Sequence, residues 1–482
     1  MHNLTIMGLE AAVVAAGLAL LLLDLWTPPE QKRNLGFVAA AAVAIVFAGS
    51  FAILLDRPEA AFGGMYMLDD LAIYFKRFFL LAAFFVLVLS VEFADRFETG
   101  VAEYYALVLF ALAGMMFAAS ANDFALLFVS LELITVTFYV LTSYQRRRLR
   151  SVEAGVKYLI LGALSSAFLV YGIALVFGAS GTMNFSKLAT VSTGMAGDPL
   201  LSLGLLLVFV GLAFKVAAVP FQIWAPDVYE GAPTPTTAFL AVGSKAAGIV
   251  LLLRVIHLAV PALSAQWSKL LIVVSGLSIL YGSLCAIPQR NLKRLLGYSS
   301  IANAGYLLLG IAVMTPAGSA AVLYFLSGYL FTLMGAFLVL CLAIRQVDGE
   351  EISALAGLGQ RSPLLAATMT FSMVSLAGVP PLAGFFGKFL LLKSAVAQAP
   401  TTPGLYCLLT IAIIGVVISL YYYFGVIRAI YWSPAPADSS PIELSMPSRL
   451  ALYACMGGML WLGLLPNSIV NLAELAVKSL KP

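Results

Sequence analysis

The sequence predicts an all-α polytopic membrane protein with about fourteen transmembrane helices. Hydrophobic residues make up 62% of its 482 residues and only 10% are charged, whereas a soluble domain carries about 25% charged residues. Apolar stretches of about 20 residues, the length that crosses a hydrocarbon core of about 30 Å, recur along the whole chain. Prolines interrupt the seventh and the twelfth stretch, so we expect two broken helices.

The fourteen predicted spans follow one another through short loops. They run over Leu4–Trp26, Leu35–Leu55, Leu71–Val91, Glu103–Ser120, Asp123–Ser143, Glu153–Ser180, Leu200–Tyr229, Thr234–Leu258, Trp267–Pro288, Lys293–Met314, Pro316–Ile344, Pro363–Val396, Pro403–Trp432 and Pro447–Leu472. The first span has full spanning length and no basic segment before it, so we expect a retained helix rather than a cleaved signal.

Positive charges lie mainly in the loops that follow odd-numbered spans. They are Lys32 and Arg33 after the first, Arg146, Arg147, Arg148 and Arg150 after the fifth, and Arg290, Lys293 and Arg294 after the ninth. Loops after even-numbered spans carry little more than Arg57 and Lys187. Because positive loops stay in the cytoplasm, the odd-numbered loops are expected there and both termini on the opposite side.

The composition argues against several classes of function. A formal charge of +4, without a basic stretch interleaved with aromatic residues, gives no indication of nucleic-acid binding. The four cysteines stand singly in apolar runs, which is typical of small core residues rather than of a metal centre. Two histidines cannot supply pairs of axial haem ligands, and no nucleotide-binding motif is present. The sequence therefore predicts no metal or cofactor site in this chain.

The first broken helix carries the clearest functional signal. The stretch 211–248, GLAFKVAAVPFQIWAPDVYEGAPTPTTAFLAVGSKAAG, places Lys215 shortly before Pro220 and a second lysine, Lys245, in the following span. Proline removes a helix donor and leaves upstream carbonyls free to bind water. A buried ammonium beside such a break indicates an ion path.

The second break, SLAGVPPLAGFFGKFLLLKSA at 375–395, repeats the same ingredients in the opposite order. Here Pro380 and Pro381 precede Lys388, whereas Lys215 precedes its proline. The twelfth span comes five spans after the seventh, and an odd number reverses the orientation in the membrane. This pattern is typical of transporters built from inverted repeats with discontinuous helices at the site.

Three charged residues fall deep inside their predicted spans. At 1.5 Å per residue, Glu132 lies about 14 Å, Lys215 about 22 Å and Lys245 about 16 Å from the span start. Each costs roughly 2.5–3.5 kcal/mol on insertion scales, so we expect a function for them. Burial disfavours the charged form of a lysine and a nearby carboxylate favours it. Glu132 and Lys215 are therefore predicted to form a switchable pair that passes protons toward Lys245, with Lys388 as the terminal site.

Structural alternatives remain open for each of these residues. Glu132 and Lys215 could form a fixed ion pair, Lys245 could bind carbonyls of the broken helix, and Lys388 could mark a helix end.

Other charged residues near the ends of the spans could have a purely structural role. Glu153 and Lys157, spaced i,i+4 after the arginine cluster, fit an interfacial salt bridge as well as proton uptake. Asp227 and Glu230 are expected to be capping or solvated groups.

Four segments resemble the antiporter-like subunits of respiratory complex I, the proton-translocating NADH–quinone oxidoreductase. They are LFVSLELITVTFYVL around Glu132, the 211–248 stretch, QRNLKRLLGYSSIANAGYLLLG at 289–310 and AGVPPLAGFFGKF at 377–389. The sequence is most similar to the subunit N type, called subunit 2 in mitochondria and plastids. The resemblance implies that Glu132, Lys215, Lys245 and Lys388 occupy the proton-relay positions of that family.

The resemblance also implies a domain layout. A three-helix segment (1–102) would precede two inverted five-helix repeats (103–258 and 259–432), and a C-terminal helix (433–482) would follow.

The same resemblance carries expectations about partners and location. The chain would be a subunit of an enzyme, NADH:quinone oxidoreductase, with no redox site of its own. NADH, FMN, iron–sulfur clusters and quinone would belong to partner membrane and peripheral subunits. The expected location is the bacterial inner membrane, with both termini in the periplasm. An Mrp-type cation/proton antiporter subunit and a purely structural membrane subunit are the alternatives.

Overall fold

The computed structural model describes residues 6–53, 55, 57–97, 100–195, 197–344, 350–434 and 440–480. We number the helices in chain order, and the two halves of a broken helix share a number and carry the letters a and b. They are α1 (Gly8–Trp26), α2 (Leu35–Ser50), α3 (Asp70–Phe93), α4 (Val101–Ala119), α5 (Phe124–Thr142), α6 (Leu149–Ser180), α7a (Pro199–Val216), α7b (Trp224–Gly231), α8 (Thr234–Ala259), α9 (Ser264–Ala286), α10 (Leu292–Ala312), α11 (Pro316–Ala343), α12a (Pro363–Ala377), α12b (Ala383–Gln398), α13 (Gly404–Trp432), α14 (Met446–Leu464) and α15 (Asn467–Val477).

The predicted all-α membrane fold is confirmed. Within the described residues, twelve helices are long and apolar enough to cross a membrane, and a thirteenth span results if α14 and the bent segment after it are counted together. The predicted twelfth span does not enter that count because its break leaves α12a with 15 residues and α12b with 16. A two-stranded antiparallel hairpin, β1 (Glu59–Ala61) and β2 (Tyr66–Leu68), joins α2 to α3.

Both predicted helix breaks are present, and they have the same local form. The helix α7a is followed by Ala217, whose backbone is left-handed with φ 59°, and α12a is followed by Gly378 with φ 80°. A cis peptide bond precedes Pro220 in the first break and Pro381 in the second. The chain resumes its helical path at α7b and α12b.

The helix α8 lies in the interior of the molecule. All residues of its apolar 18-residue segment are buried inside the protein. In the corresponding segments of α1 and α13, only 22% and 28% of the residues are buried. Two π-helical segments, Leu240–Ser244 and Val255–Ala259, flank its regular part. Single π-turns inside α-helices are frequent at functional sites, and Lys245 directly follows the first of them.

Some predicted boundaries need correction. The last span was expected to continue to Leu472, but α14 ends at Leu464 and the chain bends by 79° before α15. Pro466 explains the bend, because proline and the residue before it disfavour helix. The sixth span begins at Leu149, one turn before the expected Glu153. The predicted start of the first span, Leu4, lies outside the described residues.

A buried ionic network ties the first helices to α8. Lys76 on α3 lies 2.8 Å from Glu10 on α1, and both side chains are fully buried. The Tyr66 hydroxyl accepts a hydrogen bond from Lys76 and donates one to Glu10. Nearby, Arg254 of α8 bonds Asp69, the N-cap of α3, at 2.7 Å. The network therefore connects α1, α3 and α8 on the side where the chain begins.

Candidate functional site

Glu132 lies half-buried in the middle of α5. The hydroxyl of Ser166 on α6 donates a hydrogen bond of 2.5 Å to its carboxylate. Hydrogen bonds to the charged form of a carboxylate stabilise that form. Sequence reasoning did not identify Ser166, because a single serine in an apolar helix is common.

Lys215 is buried in the last turn of α7a, with 4% of its surface exposed. Its ammonium donates a hydrogen bond of 2.8 Å to the hydroxyl of Thr135, which lies one turn from Glu132 on α5. The carboxylate of Glu132 and the ammonium of Lys215 form no ion pair within 4.0 Å, and the partners that the structure gives them are Ser166 and Thr135 respectively. The close fixed pair that the sequence left open is therefore not formed, and Thr135 links the lysine to the glutamate's helix.

The break after Lys215 is held by aromatic and hydroxyl contacts. The indole of Trp224 at the start of α7b donates to the carbonyl of Phe214 at 2.9 Å. The ring of Tyr158 stacks on that of Trp224 with centroids 4.8 Å apart. Ser278 on α9 accepts a hydrogen bond of 2.9 Å from the amide of Val219. The amide of Val219 thus gains a partner that the interrupted helix cannot supply, and the carbonyl of Phe214, which also accepts from the amide of Ala217 at 3.0 Å, gains a second donor.

Close packing brings α8 against the end of α7a. A Cβ atom at Gly248 would lie 2.7 Å from a methyl group of Val216 and 3.4 Å from Cβ of Lys215. A side chain at this position would force Val216 or one of the two helices to shift, because carbon–carbon contacts shorter than 3.0 Å are not tolerated in packed interiors. Lys245 lies one turn before Gly248, so the approach brings the two lysine-bearing helices together.

Lys245 is 2% exposed and reaches across to α10. Its ammonium donates to the carbonyl of Ser300 at 2.5 Å and also to the Ser300 hydroxyl. The hydroxyl of Tyr229, on α7b, lies 3.0 Å from that of Ser300. The alternative that Lys245 binds carbonyls of the broken helix is therefore not what the structure shows.

The helix α10 carries a buried polar row that begins at this contact. Ser299, Ser300 and Asn303 are all at most 2% exposed. The amide of Asn303 donates to the carbonyl of Ser299 at 2.9 Å, and the Ser299 hydroxyl bonds Tyr423 on α13. Sequence reasoning assigned no role to these residues. The available signal was their spacing of three and four residues within an otherwise apolar span, which places them on one helix face.

Lys388 occupies the second turn of α12b, with 5% of its surface exposed. Its ammonium donates to the carbonyl of Leu376 in the last turn of α12a at 2.7 Å and lies 5.0 Å from the ring centre of Tyr306 on α10. A small cavity of about 10 Å³ lies between Lys388 and Asn303, which is room for about one water molecule. The polar row of α10 therefore extends from Lys245 to the surroundings of Lys388.

The secondary pair predicted from the sequence lies at one end of the molecule. Glu153 and Lys157 on α6 form an ion pair at 2.7 Å, and Lys157 also bonds Asp227 at 2.8 Å. Arg294 on α10 contacts Asp227 at 2.6 Å and Glu230 at 2.9 Å. These charges border a cavity of about 180 Å³ open to the surface. Asp227 and Glu230 are thus ion-paired rather than simply capping or solvated.

Among the residues that the structure describes, no three histidine, cysteine, aspartate or glutamate side chains converge as metal ligands would.

Known proteins resemble this chain over nearly its whole length. Residues 121–419 match the family described as NADH:quinone oxidoreductase/Mrp antiporter, transmembrane. NADH-quinone oxidoreductase subunit N of Moorella thermoacetica is 41% identical over 476 residues, which cover 98% of each chain. A chain of respiratory complex I from Thermus thermophilus is 33% identical with a TM-score of 0.79, covering 96% of this chain and 98% of that one.

A chain of the Mrp complex from Dietzia sp. has the same fold, with a TM-score of 0.86 and coverage of 99% and 97%. Its identity of 21% shows the fold alone. The resemblance inferred from the sequence is confirmed by the family match and by the subunit N relatives. This chain therefore belongs to the NADH:quinone oxidoreductase/Mrp antiporter family of membrane proteins and, within it, to the subunit N group.

Proposed function

We propose that this chain moves protons across the membrane as a subunit of an NADH–quinone oxidoreductase, through Glu132, Lys215, Lys245 and Lys388. The observation that carries the proposal is the hydrogen bond from Lys245 on α8 to Ser300 on α10. It joins the polar groups around the first break to those around the second. Lys215, Lys245 and Lys388 are each at least 95% buried. A charged side chain inside a membrane is energetically costly, and a role in proton transfer explains why three are present.

Each residue has a distinct role in this proposal. Lys215 releases and regains a proton, and Glu132 changes how strongly Lys215 holds it when α5 and α7a move relative to each other. Lys245 receives the proton and passes it along the polar row of α10. Lys388 is the last buried acceptor before release. The prolines at 220, 380 and 381 leave the helix ends open, so that backbone carbonyls such as that of Leu376 can take part.

The ion-paired residues Glu153 and Lys157 border the charged cavity at the end of α6. We propose that this cavity is where protons are collected, because it is lined by charged side chains and reaches Asp227 and Glu230 of α7b, the second half of the first broken helix. Lys157, Asp227 and Arg294 each contact two opposite charges there, so one of these contacts can open for proton exchange without leaving an isolated charge.

The domain layout follows the same proposal. Residues 1–102 form an N-terminal three-helix segment, 103–258 and 259–432 form the two inverted repeats, and 433–482 form the C-terminal part. The chain lies in a bacterial inner membrane with both termini in the periplasm. NADH, FMN, iron–sulfur clusters and quinone bind to partner subunits, which supply the energy for pumping.

Substitutions at Lys215 test the proton-transfer step. The assembled complex is placed in closed vesicles, and NADH oxidation and acidification of the lumen are recorded together. Lys215→Met should abolish acidification, whereas Lys187→Met, at an exposed position on the short helix Phe185–Ser192, should leave it unchanged. Lys215→Arg keeps the positive charge but cannot release a proton, because arginine stays protonated in proteins. Normal pumping by Lys215→Arg would refute the proposal.

Glu132→Gln tests the proposed switch. It keeps the size of the side chain and a partner for Ser166 but removes the charge that acts on Lys215. We expect fewer protons pumped per NADH oxidised, with assembly intact on a native gel. Unchanged pumping would leave Glu132 without its proposed role.

A cation/proton antiporter of the Mrp type is the second candidate, because a chain of that complex shares the fold over 99% of this chain. It predicts sodium-dependent acidification without NADH, and co-purification without flavin or iron–sulfur subunits.

A further inference from the structure

A groove opens on the outer surface between α2, α3, α11 and the bent pair α14 and α15. Its volume is about 320 Å³, within the ~300–1,000 Å³ typical of small-molecule sites. The walls are almost entirely apolar, and they include Phe47, Phe78, Leu330, Trp461, Leu472 and Leu475. The last two leucines are about half exposed and belong to α15, whose axis turns away from α14 by 79°.

Most polar groups on the floor of the groove are already bonded. The hydroxyl of Tyr74 donates to the carbonyl of Leu323 at 3.1 Å and lies 2.7 Å from the hydroxyl of Ser327. The floor therefore offers no strong polar partner to an occupant. Its chemistry is that of a surface for hydrocarbon.

Two charged side chains of α3 line the same groove without pairing with each other. Asp70 forms no hydrogen bond or close ion pair with the described residues, although the charges of Lys478 and Arg77 act on it from farther away. Arg77 donates from Nη2 and Nε to Ser50 at the end of α2, at 2.9 and 3.3 Å, and lies 4.3 Å from the ring centre of Phe51. Its Nη1 group has no partner among the described residues, so the guanidinium can still bind an anion.

The charges and the apolar wall follow one another along α3. Asp70 is at the helix start, Arg77 lies two turns farther in, or about 10 Å, and Leu81 lies one turn beyond Arg77. From the surface inward, the groove thus presents an anion, a cation and hydrocarbon. A phosphatidylethanolamine molecule presents the complementary series, which is an ammonium, a phosphate and acyl chains.

We propose that this groove binds one phosphatidylethanolamine molecule. Its phosphate pairs with Arg77, its ammonium pairs with Asp70, and an acyl chain lies against α11 and α14. The arginine supplies a guanidinium that suits phosphate oxygens. The helix α15 covers the chain from the side, because its apolar residues face the groove and its axis departs from that of α14.

Photo-crosslinking tests the site in the intact complex. Complexes in nanodiscs receive phosphatidylethanolamine or phosphatidylglycerol with a diazirine on the same acyl carbon, and labelled peptides are mapped by mass spectrometry. We expect the ethanolamine lipid to label α11 and α14 at least fivefold more than it labels the exposed face of α6 around Val170. The glycerol lipid should label the groove at least fivefold less.

Variants distinguish headgroup recognition from ordinary lipid contact. Arg77→Gln should reduce groove labelling by the ethanolamine lipid at least fivefold, and Asp70→Asn should reduce it without reducing labelling by the glycerol lipid. Leu472→Trp should reduce labelling by filling the groove. Lys187→Gln, an exposed cation elsewhere, should change nothing.

Several results would overturn the proposal. Equal labelling of the groove and of α6, or labelling insensitive to Arg77→Gln, would mean that only ordinary surrounding lipid is present. Equal labelling by both lipids would refute the headgroup assignment. An unlabelled groove that instead crosslinks to another subunit would mean that a protein partner covers it.

Discussion

Replacement of Lys76 by methionine should destabilise the protein strongly. Lys76 and Glu10 are fully buried and 2.8 Å apart, so the variant leaves the carboxylate of Glu10 without its charged partner inside the protein. Removing one member of a buried ion pair costs about 3–5 kcal/mol. Tyr66 remains as a single hydrogen-bond donor to Glu10 and cannot compensate for the missing charge.

The double variant Glu10→Met with Lys76→Met should recover most of that loss. Replacing both members of a buried pair with apolar side chains is often nearly neutral. The remaining cost is that of the Tyr66 hydroxyl, which loses Glu10 and Lys76 and keeps only the long hydrogen bond of 3.4 Å to the carbonyl of Ile6, at about 1–3 kcal/mol. The loss in the double variant is therefore expected to fall short of the summed single-variant losses by at least about 2 kcal/mol.

Equilibrium unfolding of the purified subunit in mixed micelles measures these differences. Lys187→Met, at an exposed position, serves as the reference and should stay within about 0.5 kcal/mol of the parent protein. Two results would contradict this reasoning. Lys76→Met could cost less than about 1 kcal/mol, or the losses of the two single variants could add up to the loss of the double variant. In either case Lys76 and Glu10 do not act as a coupled buried ion pair.

Three further substitutions address the core of the proposed relay. Gly248→Val should lower the pumping rate at least tenfold, because its side chain would collide with Val216 and push α8 from α7a; a native gel and acidification of vesicles measure assembly and pumping. Trp224→Phe should lower the free energy of unfolding by about 0.5–1.5 kcal/mol, because the carbonyl of Phe214 loses one of its two donors and keeps only the amide of Ala217; chemical unfolding followed by circular dichroism checks this. Ser300→Ala should slow proton pumping about tenfold at normal assembly, since a hydrogen bond to a charged group contributes about 1.5–3 kcal/mol; an unchanged rate of vesicle acidification in the assembled variant would contradict it.

The membrane fold could be predicted because hydrophobic length is a local property. A lipid-facing or buried span needs about 20 apolar residues in sequence, whatever its neighbours are. Boundaries were less certain where proline falls inside an apolar run. A helix break is predicted at Pro220 because a lysine lies nearby in the sequence. The last span, in contrast, is predicted to continue past Pro466, so the bend after Leu464 is not predicted.

The buried lysines were predictable, but their partners were not. A charge inside an apolar run is visible in the sequence, and Lys215, Lys245 and Lys388 are indeed buried. Their hydrogen-bond acceptors are the hydroxyl of Thr135, both oxygens of Ser300 and a backbone carbonyl. Hydroxyls and carbonyls occur throughout apolar helices, so only the packing of helices that are far apart in sequence selects these particular ones.

The direction of the hydrogen bond from Lys245 to Ser300 has an electrical consequence. Lys245 is the twelfth of the 26 residues of α8 and Ser300 is the ninth of the 21 residues of α10, so in the proposed path a charge passed between them would move mainly parallel to the membrane plane. The membrane voltage does no work on that movement, whereas a full crossing costs about 2.3 kcal/mol per charge for each 100 mV. In a proton path of this design, the voltage acts only on uptake and release, and sideways transfer proceeds at the same rate in an energised and in a discharged membrane.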